Sequence, residues 1–61
     1  MHEYEVFMET PITTFSTTVF ADTKKQATYQ AYKKWHGKEL EEYTTFGQFL
    51  KYFYTKTVQI N

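Results

Sequence analysis

The chain has 61 residues and a mass of 7.4 kDa, its seven acidic residues balance seven lysines, and it has no cysteine. A chain of this size buries roughly 60% of the surface it exposes when unfolded, enough for one thin core and a single domain spanning residues 1–61. Disulfide scaffolds and Cys-based zinc sites are excluded, and no apolar run approaches the ~20 residues that a membrane-spanning helix needs.

Residues 4–9 alternate Tyr4, Val6 and Met8 with Glu5, Phe7 and Glu9, the period of a strand. Residues 15–21 do the same, with Phe15, Thr17, Val19 and Ala21 on one face and Ser16, Thr18 and Phe20 on the other. Thr-Pro-Ile-Thr-Thr lies between them, and Pro11 presets φ for a turn. The two runs predict a β-hairpin. Pairing Thr10 with Thr13 brings Met8 opposite Phe15, Val6 opposite Thr17 and Tyr4 opposite Val19, whereas a slip of one residue mixes the faces. Two-residue hairpins want primed turns with φ > 0, which Pro11 cannot supply, so a loop of four residues or more is expected.

Thr23 followed by Gln26 fits a capping box. Ala27, Ala31 and Trp35 then recur at helical spacing, Lys33 and Lys34 suit the negative end of the helix dipole, and Gly37 suits the residue after a C-cap. A helix is predicted over about residues 24–36. Residues 38–45 read as a polar connection with room for one helical turn. Thr45 and Gln48 repeat the capping pattern, and Phe46, Phe49, Leu50 and Phe53 form one helical stripe, predicting a short helix over residues 46–52. Residues 53–60 are aromatic and β-branched and read as a last strand, with Tyr54, Val58 and Ile60 facing inward and Lys56 at the rim.

The expected fold class is α+β, in the order ββααβ. A three-stranded sheet, made of the hairpin and the C-terminal strand, carries one main helix and one short helix on a single face. The scarce aliphatic residues are supplemented by six Tyr, six Phe and one Trp, each able to bury about 150–250 Å². The expected core is Tyr4, Val6, Met8, Phe15, Val19, Ala27, Ala31, Trp35, Leu50, Val58 and Ile60, with Phe46 and Phe49 beneath the second helix.

The opposite sheet face is the candidate site. Alternation exposes Phe7 and Phe20 there among Glu5, Glu9, Ser16 and Thr18, and Phe53 joins them if Val58 and Ile60 point inward. Exposed rings on so small a domain mark a contact surface, although small domains also expose apolar atoms routinely. The leading expectation is a non-enzymatic protein-binding module, monomeric or self-associating, that uses Phe7, Phe20, Phe53, Glu5 and Thr18. Single-stranded nucleic acid, stacked on the same rings, is the alternative. Glu3, Glu5 and Glu9 would repel phosphate, and arginine, the usual tool for phosphate and guanine, is absent. A third reading takes Glu39, Glu41 and Glu42 as an acidic surface that inhibits a nucleic-acid enzyme. The same residues also read as an ordinary solvated loop.

Catalysis has no constellation to rest on. Ser16 is the only serine and has no histidine near it in sequence, and Gly37 and Gly47 are isolated rather than part of a phosphate loop. His2, His36 and Glu39 are a poor metal set, drawn from a terminus and a loop. No cofactor, small-molecule substrate or membrane partner is expected. The lack of a charged start followed by an apolar run favours the cytoplasm.

The passage Val19-Phe20-Ala21-Asp22-Thr23-Lys24-Lys25-Gln26-Ala27, ending at Ala31-Tyr32-Lys33-Lys34-Trp35, is similar to passages in short accessory proteins encoded by bacteriophages. It covers about a quarter of the chain. The resemblance implies a small non-enzymatic domain that binds and modulates a host protein, and it transfers no functional residue.

Overall fold

Strand β1 spans His2–Glu9 and strand β2 spans Thr14–Ala21, in a computed structural model that describes all 61 residues. They pair antiparallel in the register that parity predicts, with Met8 opposite Phe15, Val6 opposite Thr17 and Tyr4 opposite Val19. The loop is the expected four residues. The Thr10 N–H donates to the Thr13 carbonyl at 2.8 Å. The Thr10 hydroxyl oxygen accepts from the N–H groups of Ile12 (3.3 Å) and Thr13 (3.0 Å). A side chain thereby closes the turn from within, and no non-glycine residue needs a positive φ.

Helix α1 spans Lys24–Trp35. Its N-cap Thr23 accepts from the Gln26 N–H at 3.1 Å, while the Gln26 side-chain oxygen reaches one residue further back, to the Asp22 N–H. The capping box is thus formed with its return arm displaced by one position. Ala27, Ala31 and Trp35 are the buried residues of the helix, and the alanines allow close approach to the sheet.

The chain leaves α1 through Gly37, which sits at φ 76°, where a side chain would be strained. The N–H groups of Lys38 and Leu40 both donate to the Trp35 carbonyl at 2.9 Å, folding the connection back under the helix end. Leu40 is thereby 1% exposed and belongs to the core. Within the expected polar connection, only Leu40 and Thr44 are buried. The Tyr32 hydroxyl donates to the Thr44 carbonyl and fixes the far end of the same connection.

Helix α2 spans Phe46–Tyr52 and begins with a complete capping box, in which Thr45 and Gln48 each accept the other's backbone N–H at 3.1 Å. Phe49 is fully buried and packs against Tyr32, Trp35, Phe46 and Phe53 with ring centroids 5.7–6.2 Å apart. The stripe that faces the core is therefore Phe46, Phe49 and Phe53. Leu50, expected in the core, is rotated off that stripe and is 47% exposed.

Strand β3 spans Tyr54–Gln59 and pairs antiparallel with β1, giving the order β2-β1-β3 with β1 in the centre. Its faces are the reverse of the expected ones. Val6 stands opposite Thr57 and Met8 opposite Thr55, so Thr55, Thr57 and Gln59 share the inner face. Val58 stands opposite Glu5, on the outer face, and Ile60 is 50% exposed. Both leave the expected core. The cause is Phe53, which caps α2 and packs against the Phe49 ring. With Phe53 held inward, the strictly alternating side chains after it have no other arrangement. Of the inward threonines, Thr57 is hydrogen-bonded to α1. The Thr28 hydroxyl spends its single proton on the Lys24 carbonyl, so Thr57 is the donor in their 2.6 Å hydrogen bond.

The core is Tyr4, Val6, Met8, Val19, Ala21, Ala27, Ala31, Trp35, Leu40 and Phe49, with Phe15, Tyr32, Phe46 and Phe53 packed against it. The accessible surface of 4306 Å² is close to the roughly 4,200 Å² expected from size alone. The fold is a small α+β domain with a three-stranded antiparallel sheet and two helices.

Candidate functional site

The outer sheet face carries three columns of side chains. β2 contributes Thr14, Ser16, Thr18 and Phe20, and β1 contributes Glu3, Glu5, Phe7 and Glu9. β3 contributes Tyr54, Lys56 and Val58, with Ile60 following them. The core-facing side chains of both helices lie on the other face, and α1 reaches this surface only at its β2 edge, beside Thr18 and Phe20.

Phe7 sits at the middle of the face and is half-buried, between Ser16 on β2 and Lys56 on β3. Its diagonal neighbours on β3 are Tyr54, opposite Glu9, and Val58, opposite Glu5. Diagonal pairs lie about 7–8 Å apart, within reach of aromatic side chains. Ile60 extends this apolar strip along β3. Glu5 is half-buried between Thr18 and Val58. Thus Glu3, Glu5 and Glu9 run down the central strand against the single cation Lys56.

Two of the expected site residues lie elsewhere. Phe20 does point outward and is 60% exposed, but it stands opposite Glu3, four residues along the sheet from Phe7. At about 3.4 Å per residue that is ~14 Å, so the two rings do not form one patch. Phe20 instead lines a shallow depression at the free edge of β2 with Thr18, Gln30 and Lys34. Phe53 is on the inner side, against the core, for the reason given above. Thr18 faces outward, and its carbonyl accepts from the Lys34 ammonium at 3.1 Å. Tyr54, Val58 and Ile60 take the places of Phe20 and Phe53. Their sequence signal was the same alternation read with the opposite phase.

The charges are segregated. α1 carries Lys24, Lys25, Lys33 and Lys34 and no acidic residue, whereas β1 carries three glutamates. The only ion pair joins the N-terminal ammonium to Asp22 at 3.5 Å, and both groups are exposed. Zero net charge therefore conceals an acidic sheet face and a basic helix. No three His, Asp or Glu side chains converge on a point that could hold a metal. No buried side-chain polar atom lacks a hydrogen-bond partner. The largest concavity, about 740 Å³, is wide open and passes over the solvent side of α1 between Phe20 and Phe46. No helix is long and apolar enough to cross a membrane.

Comparison with protein-family models, with curated proteins and with solved structures returned no match.

Proposed function

We propose that the chain is a non-enzymatic protein-binding module whose partner docks on the outer sheet face, over Phe7, Tyr54, Val58 and Ile60. The observation that supports this reading is the uncovered face itself, with a half-buried ring at its centre and apolar side chains beside it. Interfaces are built this way, with an aromatic anchor at the centre and a polar rim. The rim states the partner's chemistry. Three glutamates against one lysine favour a surface that presents lysine or arginine around an apolar centre. They disfavour nucleic acid, whose phosphates would meet Glu3, Glu5 and Glu9, and a second copy docked face to face, which would oppose glutamates to glutamates. Modulation of a host protein, the role implied by the resemblance to bacteriophage accessory proteins, is of this class.

The test is affinity capture from cell extract with the wild type, Phe7→Thr/Val58→Thr and Glu5→Lys side by side. Threonine is a good strand former at both positions, and all three positions lie outside the core, so the variants stay folded. The proposal expects a protein retained by the wild type and lost from both variants, with retention weakening as salt rises. A partner held equally by all three proteins would refute it.

A further inference from the structure

We infer that the free edge of β3 pairs with the same edge of a second copy, joining two three-stranded sheets into one of six strands. This edge borders the docking face proposed above and shares Tyr54, Val58 and Ile60 with it, but its backbone pairing does not depend on that reading.

The backbone shows which groups are free. On β1 the Thr10 end bonds to β2 through even-numbered residues, as in the bond from the Thr10 N–H to the Thr13 carbonyl. The odd-numbered residues therefore bond to β3, and the Glu3 carbonyl accepts from the Ile60 N–H at 2.9 Å. Antiparallel ladders alternate, so Tyr54, Lys56 and Val58 bond inward to β1. The N–H and C=O groups of Thr55, Thr57 and Gln59 then point off the edge of the sheet, where no strand lies. Such a row is a template for strand addition.

The two edges of the sheet differ. On β2 the Lys34 side chain reaches the edge, donating to the Thr18 carbonyl and to the Thr17 hydroxyl, and occupies a position that an added strand would need. No side-chain hydrogen bond covers a backbone group of β3.

A second copy fits this edge by its own register. The free groups are centred on Thr57, so a two-fold axis beside Thr57 pairs Thr57 with Thr57, and Thr55 with Gln59. The same axis places Tyr54 opposite Ile60 and Lys56 opposite Val58 on the outer face. Tyr54 and Ile60 are among the most exposed large apolar side chains of the sheet, and each gains the other as a cross-strand neighbour. No like charges stand directly opposite. Each Lys56 keeps Glu5 and Glu9 of its own β1 as diagonal neighbours. The two-fold axis runs perpendicular to the sheet, so the helices of both copies stay on the same side and the two outer faces join.

The experiment combines sedimentation equilibrium with amide exchange across a concentration series up to about 1 mM, the range suited to weak association. The wild type is expected to dimerise, with the amides of Thr55, Thr57 and Gln59 gaining protection as concentration rises. Tyr54→Lys/Ile60→Lys sets cations opposite one another at exposed positions and is expected to weaken dimerisation about tenfold or more. Tyr54→Glu/Ile60→Glu does the same with anions, and mixing the two variants restores a mixed dimer. A wild type that stays monomeric throughout overturns the inference. So does a dimer in which these three amides stay unprotected, or one that the double-lysine variant forms as well as the wild type does.

Discussion

Replacing Leu40 with alanine trims an isobutyl group to a methyl at a position 1% exposed, in a connection whose other side chains are mostly solvated. Removing the buried carbons costs roughly 2–2.5 kcal/mol at about 0.8 kcal/mol per methylene. The space left behind raises this toward about 3 kcal/mol, limited by how far the loop collapses into it. Domains of this size often keep only about 3–5 kcal/mol, so most of the margin would be lost. At about 4–8 °C per kcal/mol for a small domain, the melting temperature should fall by roughly 10–20 °C. Urea titration followed by Trp35 fluorescence reads the effect, since Trp35 is the only tryptophan and its carbonyl anchors the Leu40 N–H. Leu50→Ala is the matched control. It removes the same atoms from a side chain 47% exposed on α2, and should cost less than about 1 kcal/mol. Equal losses in the two variants, or a Leu40→Ala midpoint unchanged from wild type, would refute the docking of the connection under the helix end.

Trp35→Ala should remove about 3–5 kcal/mol and leave no cooperative thermal transition by circular dichroism. The two glycines should respond with opposite signs to the same change. At Gly37 an added methyl group has room, with Glu42 Cγ at 3.5 Å, but φ 76° is a conformation that costs alanine roughly 1–2 kcal/mol, measurable by urea titration. At Gly47 the nearest atom would be 3.9 Å away and the backbone is helical, so Gly47→Ala should stabilise by up to about 1 kcal/mol. Thr45→Ala removes the hydroxyl that accepts the Gln48 N–H and should cost about 1 kcal/mol, read as earlier exchange of the α2 amides.

Local chemistry determined much of this molecule. The hairpin register follows from the alternation of Tyr4, Val6 and Met8 against Phe15 and Val19, because a one-residue slip would turn every apolar side chain to water. Both helix starts follow from Thr23–Gln26 and Thr45–Gln48, and the end of α1 follows from Gly37. The capping partners lie within four residues of each other and the paired strands are joined by one short turn, so the sequence alone is enough to read them. The outward direction of Phe7 and Phe20 follows from the same alternation.

Three features were settled only by tertiary packing. Residues 53–60 fit a strand in either phase, because apolar side chains occur at both parities, and the docking of Phe53 on Phe49 selects the phase. That choice moves Val58 and Ile60 from the core to the outer face and Phe53 from that face to the core. Leu40 and Leu50 exchange their expected roles, because a turn anchored on the Trp35 carbonyl pulls one inward and the rotation of α2 carries the other out. The candidate site moves for the same reason. Phe7 keeps its place, and its apolar neighbours come from β3 rather than from β2, because which strand lies beside β1, and in what phase, is decided by contacts far apart in the chain.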